Sequence, residues 1–253
     1  MIYLKTDDEI GMMKVAGKTV ASILYELREI IKPNISTKEI GDYIERRIRG
    51  DGMEPTFLGY NGFPASACIS VNDEVVHGIP SEGRILSEGD IVGVDIGATY
   101  GGWVADAART YAVGEISQDA ADIISACEDS FFEGLKHCSA GNRLGDVGHA
   151  IQSLAESRGY SVVRDYTGHG IGKQMHEDPQ VKNYGAAGKG VKLMNGMALA
   201  IEPMINEGTY ETETLADNWT VVTADGKLSA HYENTVIVTG NGPELITLDT
   251  REA

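Results

Sequence analysis

Two aspartates on one short hairpin constrain this chain more than any other feature. The stretch VDIGATYGGWVADAART, Val94 to Thr110, carries Asp95 and Asp106 on either side of a Tyr-Gly-Gly turn. Ile91 to Ile96 is rich in β-branched residues and Trp103 to Tyr111 alternates loosely, which predicts a β-hairpin. A turn centred between Tyr100 and Gly101 sets Asp95 directly opposite Asp106 on one face. Cross-strand partners have Cβ atoms about 5 Å apart, and like charges there repel by about 3 kcal/mol at an effective dielectric of roughly 20. Something positive belongs between them. Arg109 is the nearest base, yet an odd step from Asp106 turns it to the opposite face of the strand. A hard cation held by carboxylate oxygens is the other answer, and the hairpin alone leaves both open.

With 253 residues the chain is long enough to bury about three quarters of its unfolded surface. No linker, low-complexity tract or composition break divides it, so one domain over residues 1–253 is expected. Its 21 basic and 38 acidic residues leave a formal charge of −17 with no basic run. That argues against nucleic acid and anionic membrane as partners, and suits a cationic ligand such as a free amino terminus. Three cysteines without CxxC spacing point to a reducing compartment rather than a disulfide framework. The N-terminus turns acidic before any apolar core develops, so a cytoplasmic protein without a targeting segment is expected.

Capping boxes at Thr6-x-x-Glu9 and Ser36-x-x-Glu39 open two amphipathic helices, the first ending before Pro33 and the second at Gly50-Asp51-Gly52. Strands and turns follow from Thr56 through the hairpin, with Cys68 to Val71 and Glu74 to His77 as short strands. The order then restarts: a helix capped by Ser117, another from Leu144 to Ser157, then strand-like runs at 165–172, 197–205, 218–223 and 229–239. Gly41/Gly148, Ile44/Ile151 and Gly52/Gly159 recur at an offset of 107. Helix pairs and strands without a βαβ rhythm predict an α+β fold, a curved antiparallel sheet backed by two helix pairs.

Several motifs fail. Gly17-Lys18-Thr19 lacks the spacing and preceding strand of a phosphate loop, and Gly168-His169-Gly170-Ile171-Gly172 lacks that of a dinucleotide turn. There is no G-x-S-x-G elbow, and no second histidine follows His176-Glu177. What remains is a set of polar residues in apolar or glycine-rich settings: His77, His169, Glu202 in LAIEPM and Glu233 ahead of Val236-Ile237-Val238. A buried, unpaired carboxylate is costly, so these glutamates lie at an exposed edge or ligate something. Four carboxylates with one or two histidines suit two divalent ions better than one zinc. His231 faces the same side as Glu233, while His137 and His149 stand outside the pattern.

In the order VDIGATYGGWVADAART, TGHGIG, AIEP and YENT, these residues resemble the methionine aminopeptidases over nearly the whole chain. The resemblance implies the pita-bread fold, with two halves related by a pseudo-twofold, and the short type 1 form. It implies removal of the N-terminal methionine from nascent polypeptides and Met-initiated peptides, with a small second residue preferred. Two divalent ions (Co, Mn, Fe, Zn or Ni) would be bound by Asp95, Asp106, His169, Glu202 and Glu233, with Asp106 and Glu233 bridging. His176 would bind the substrate carbonyl, His77 the scissile amide nitrogen, and Glu202 would shuttle a proton. The implied methionine pocket is Phe57, Tyr60, Phe63, Cys68, His77, Met175, His176 and Trp219. Met175, Asn61, Asn234 and His231 depart from the residues usual in the family. A monomer is expected. The alternatives are an Xaa-Pro peptidase of the same fold, or a binding module that has lost catalysis.

Overall fold

A computed structural model describes residues 1–251. The helices come as two pairs: α1 (Asp7–Ile30) with α2 (Thr37–Gly50), and α3 (Gln118–Leu135) with α4 (Leu144–Ser157). Both predicted capping boxes form. Thr6 and Ser36 each accept the N–H of the glutamate three residues on, whose carboxylate reaches back to the cap's own N–H. Such caps contribute about 1 kcal/mol each. Gly52 (φ 75°) and Gly159 (φ 89°) lie just past the second helix of each pair in the left-handed region, where a Cβ would be strained. The glycines picked out by the 107-residue offset thus do the same work in both halves.

The strands Ile91–Tyr100 and Trp103–Ala112 pair along their full lengths. Their register corrects the expected one. The turn is Gly101-Gly102, with both residues at positive φ (55° and 80°), the two-residue geometry that matches strand twist. Asp95 therefore faces Ala108, and Asp106 faces Gly97. The two aspartates still share a face, but as a diagonal pair rather than a directly opposed one. On its other side Asp95 is opposite Cys68.

Two runs read as single strands are interrupted. Residues 197–205 break at Glu202-Pro203 into Ala198–Ile201 and Met204–Asn206, and residues 229–239 break at Tyr232-Glu233 into Ser229–His231 and Asn234–Thr239. Ala198–Ile201 pairs with Asn234–Thr239, while Met204–Asn206 pairs with Ser229–His231. Both breaks thus fall at one level, where the chain passes from one sheet to another. Pro203 has no N–H to continue a ladder; its carbonyl accepts the Tyr232 N–H at 3.2 Å instead. Every strand pairing among the described residues is antiparallel, distributed over four small sheets.

One core gathers Leu24 of α1, Ile44 of α2 and Val94 and Ile96 of the hairpin; another gathers Phe131 of α3, Ile151 of α4 and Leu199 and Val236 of the second half. The halves are stitched beside the future site. Thr235 Oγ1 accepts the Asp106 N–H at 3.0 Å and donates to the Asp106 carbonyl at 2.8 Å, and the Glu233 N–H donates to the Ala108 carbonyl at 3.0 Å. The hairpin interior and the two strand breaks are held face to face.

Candidate active site

The breaks explain how two glutamates reach one cavity from apolar strands. A residue inside a regular ladder alternates faces, whereas at a break the backbone turns and a side chain can be aimed independently. Glu202 and Glu233 use that freedom. With Asp95, Asp106 and His169 they line a cavity of about 220 Å³. Asp106 and Glu233 are 2% and 1% exposed and His169 is buried. Ligand atoms of Asp106, His169 and Glu233 lie within 4.8 Å of one another, as do those of Glu202, His231 and Glu233, so Glu233 belongs to both groups.

Burial raises the Asp95 carboxyl to about 7. It raises Asp106, Glu202 and Glu233 well above the usual carboxylate range, each pushed further by neighbouring carboxylates. Asp95 Oδ1, Asp106 Oδ1, Glu233 Oε1 and His231 Nε2 are buried without a hydrogen-bond partner among the described residues. Orphaned acceptors of that kind cost free energy unless a cation satisfies them. Arg109 does not supply it at the cavity: it lies behind, donating to the carbonyls of Ala108 (2.9 Å) and Glu233 (2.6 Å). The ion-pair reading of the hairpin is thereby set aside, and the donor set fits oxygen-preferring divalent ions.

The histidines are prepared as neutral groups. His169 Nδ1 lies 2.9 Å from the Gly170 carbonyl, which can only accept, so Nδ1 carries the proton and Nε2 presents a lone pair to the cavity. Burial lowers His169 and His231 to about 3 and His77 to about 4. His169 Nε2 lies 3.5 Å from Glu202 Oε1, and His231 Nε2 lies 3.9 Å from Glu202 Oε2 and 3.8 Å from Glu233 Oε2. Glu202 thus stands between two imidazoles. His176 is exposed at the rim, with the Tyr60 hydroxyl 2.7 Å from its Nδ1. His77 adopts φ 61° and sets its ring edge-on to Tyr166 at 5.5 Å.

Much of the rest of the cavity is apolar. Phe57, Phe63, Cys68 and Met175 are buried in its wall, and Trp219 packs edge-on to Phe63 at 5.1 Å. All of the site residues expected from sequence line this one cavity. Of the departures, Asn61 lines it too, whereas Asn234 points behind it, its Oδ1 accepting from Arg109 and Thr247 at 3.0 Å each. Tyr166, Thr167, Met204 and Val76 also line the cavity and were not foreseen. Tyr166 and Thr167 directly precede Gly168-His169, and that adjacency was the only signal available.

A strand-built carboxylate cluster beneath an apolar cavity defines a metal-dependent hydrolase, and the comparisons place it: residues 11–240 match metallopeptidase family M24, to which the chain belongs. Within that family it is 54% identical to the methionine aminopeptidase of Clostridium acetobutylicum, over 98% of this chain and 99% of that protein. The crystal structure of methionine aminopeptidase from Thermotoga maritima superposes with a TM-score of 0.97 at 44% identity, over 98% of this chain and all of that one. The fold is the pita-bread fold expected from sequence. The Xaa-Pro dipeptidase from Bacillus anthracis shares it more distantly, with a TM-score of 0.78 at 25% identity, 97% of this chain matching 62% of that chain. No helix among the described residues is long and apolar enough to cross a membrane.

Proposed function

We propose that this chain is a methionine aminopeptidase: one catalytic domain, acting as a monomer, that hydrolyses the N-terminal methionine from nascent proteins and peptides and prefers a small second residue. The observation that carries the reading is the cluster of orphaned carboxylate oxygens at the floor of an apolar cavity sized for a single side chain. Asp95, Asp106, His169, Glu202 and Glu233 would hold two divalent ions, Glu233 belonging to both groups of clustered ligand atoms; His231 is close enough to Glu202 and Glu233 to tune that set. Bound there, the ions would supply Lewis-acid polarisation and lower the pKa of water enough for it to attack at neutral pH.

The chain's own residues do the rest. Glu202, aimed at the cavity with a raised proton affinity, takes the proton of the attacking water and delivers it to the departing amine. In the tautomer in which Nδ1 accepts from the Tyr60 hydroxyl, the neutral His176 ring carries its proton on Nε2 and donates it to the substrate carbonyl oxygen. A donor placed in this way accelerates acyl transfer by about 10²–10³-fold. His77 contacts the scissile amide nitrogen. Phe57, Tyr60, Phe63, Cys68, Met175 and Trp219 enclose an unbranched thioether, which sulfur and aromatic neighbours favour. The net charge of −17 draws in a cationic amino terminus and disfavours nucleic acid and anionic membranes. Three buried free thiols support a reducing, cytoplasmic setting.

The test is to strip the protein with a chelator, restore Mn²⁺, and time free methionine released from Met-Ala-Ser beside an Xaa-Pro peptide. Metal-dependent methionine release with the Xaa-Pro peptide intact is the expected result. Cleavage of the Xaa-Pro bond alone would move the chain to the other branch of the family.

A further inference from the structure

The segment ahead of α1 lies against the loop that carries Met175 and His176. Lys5 buries its ammonium there, its side chain 1% exposed. Nζ donates to Glu177 Oε2 at 2.7 Å and to the Tyr3 carbonyl at 3.2 Å. Glu177 directly follows His176, and its other oxygen, Oε1, accepts the Gln174 N–H at 3.1 Å. The Gly172 N–H donates to the Gln174 carbonyl at 3.1 Å, and the Gly172 carbonyl accepts the Val104 N–H at 2.8 Å. The loop is therefore closed around the ion pair and moored to the hairpin. A Cβ at Gly172 would come within 2.6 Å of Lys5 Cε and 2.7 Å of Glu177 Oε1, so there is no slack.

The anchor itself is fixed. The Lys5 N–H donates to the Gly196 carbonyl at 2.7 Å, and the Gly196 N–H to the Val238 carbonyl at 3.0 Å, which ties Lys5 to the strand that starts beside Glu233. The amino group of Met1 pairs with Asp178, and Tyr3 packs against Trp103 at 6.5 Å.

We infer that Lys5 and Glu177 are positioning residues for catalysis: their partly buried ion pair fixes the loop that sets His176 over the cavity. This rests on the function proposed above. An apolar contact would hold the loop as firmly. A carboxylate bonded at both oxygens also fixes direction, and it holds Gln174 and Glu177 on either side of Met175 and His176. A displacement of about 1 Å in a reacting group costs up to 100-fold in rate.

The experiment compares wild type, Lys5→Met and Glu177→Gln as full-length, Mn²⁺-loaded proteins. Kinetics on Met-Ala-Ser are paired with Mn²⁺ calorimetry and amide exchange over residues 170–180. In Lys5→Met the expected result is a kcat lower by about tenfold or more. KM and Mn²⁺ affinity stay within about twofold of wild type, and amide protection is lost at Gln174 but kept across the hairpin. Glu177→Gln, which keeps the volume, gives the same split and serves alone should Lys5→Met fail to fold. Unchanged exchange in the loop, or lost protection with kcat intact, overturns the inference. If the wild type releases no methionine, the functional reading fails on its own, while the exchange data still decide whether the pair holds the loop.

Discussion

The floor and the wall of the cavity are built in opposite ways. The floor is polar and comes from strands: Asp95 and Asp106 from a regular hairpin, His169 from a short strand, Glu202 and Glu233 from two level strand breaks. Asp95, Asp106 and Glu233 each keep a buried carboxylate oxygen without a partner among the described residues, an arrangement that a shared cation would satisfy. The wall is apolar and comes largely from loops: Phe57, Tyr60, Phe63, Met175 and Trp219, each supported by its own packing. Groups that share a partner fail together, whereas groups that pack separately fail by degrees.

The largest break in that comparison is Asp106→Ala. Removing a shared carboxylate should abolish metal binding and turnover together, beyond the roughly 10–100-fold cost of losing an outer partner of a ligand. Calorimetry with Mn²⁺ alongside methionine release checks it; an active, metal-independent variant would refute the assignment. Glu202→Gln comes next, with turnover down about 10²–10⁴-fold and the circular dichroism spectrum unchanged. Near-normal activity would remove the proton-shuttle role.

Those two residues also show how far the sequence could be read. A carboxylate within LAIEPM or before Val236-Ile237-Val238 is legible as one needing a partner, because burial without one is so costly. That both stand where the chain changes sheets was not legible, since it depends on pairing between segments about 30 residues apart. The hairpin was visible in its alternation, but its register slipped by two residues: the sequence does not say which two of Tyr100, Gly101 and Gly102 form the turn, and positive φ at both glycines decides it. Arg109 was correctly turned away from Asp106, though only the structure reveals it holding the Glu233 carbonyl from behind. Lys5 gave no signal, because its partner Glu177 lies 172 positions away.

On the wall, effects shrink. Trp219→Ala should raise KM for Met-Ala-Ser by about tenfold while kcat changes little, since an apolar contact discriminates by only about 1–3 kcal/mol. A fall in kcat without a change in KM would make the wall part of the chemistry. The smallest effect separates floor from wall without substrate. In the stripped protein Asp95 is raised to about 7 by burial, so the folded state binds more protons than the unfolded one between the ordinary aspartate range and that value. This contribution to stability is full below the unfolded pKa and is lost as pH rises towards 7. The melting temperature of the stripped protein should therefore fall from pH 5 to pH 8 (roughly the window set by that shift), and Mn²⁺ should flatten the slope. An identical slope with and without Mn²⁺ would detach the carboxylates from the ion.

The most direct test of the account is to titrate Mn²⁺ into the stripped protein by calorimetry while following methionine release in the same samples. The account predicts a metal-free protein without turnover, activity that rises with occupancy, and two ions bound per chain. Full turnover before any metal is added, or tight binding of ions that restores no release, would contradict it.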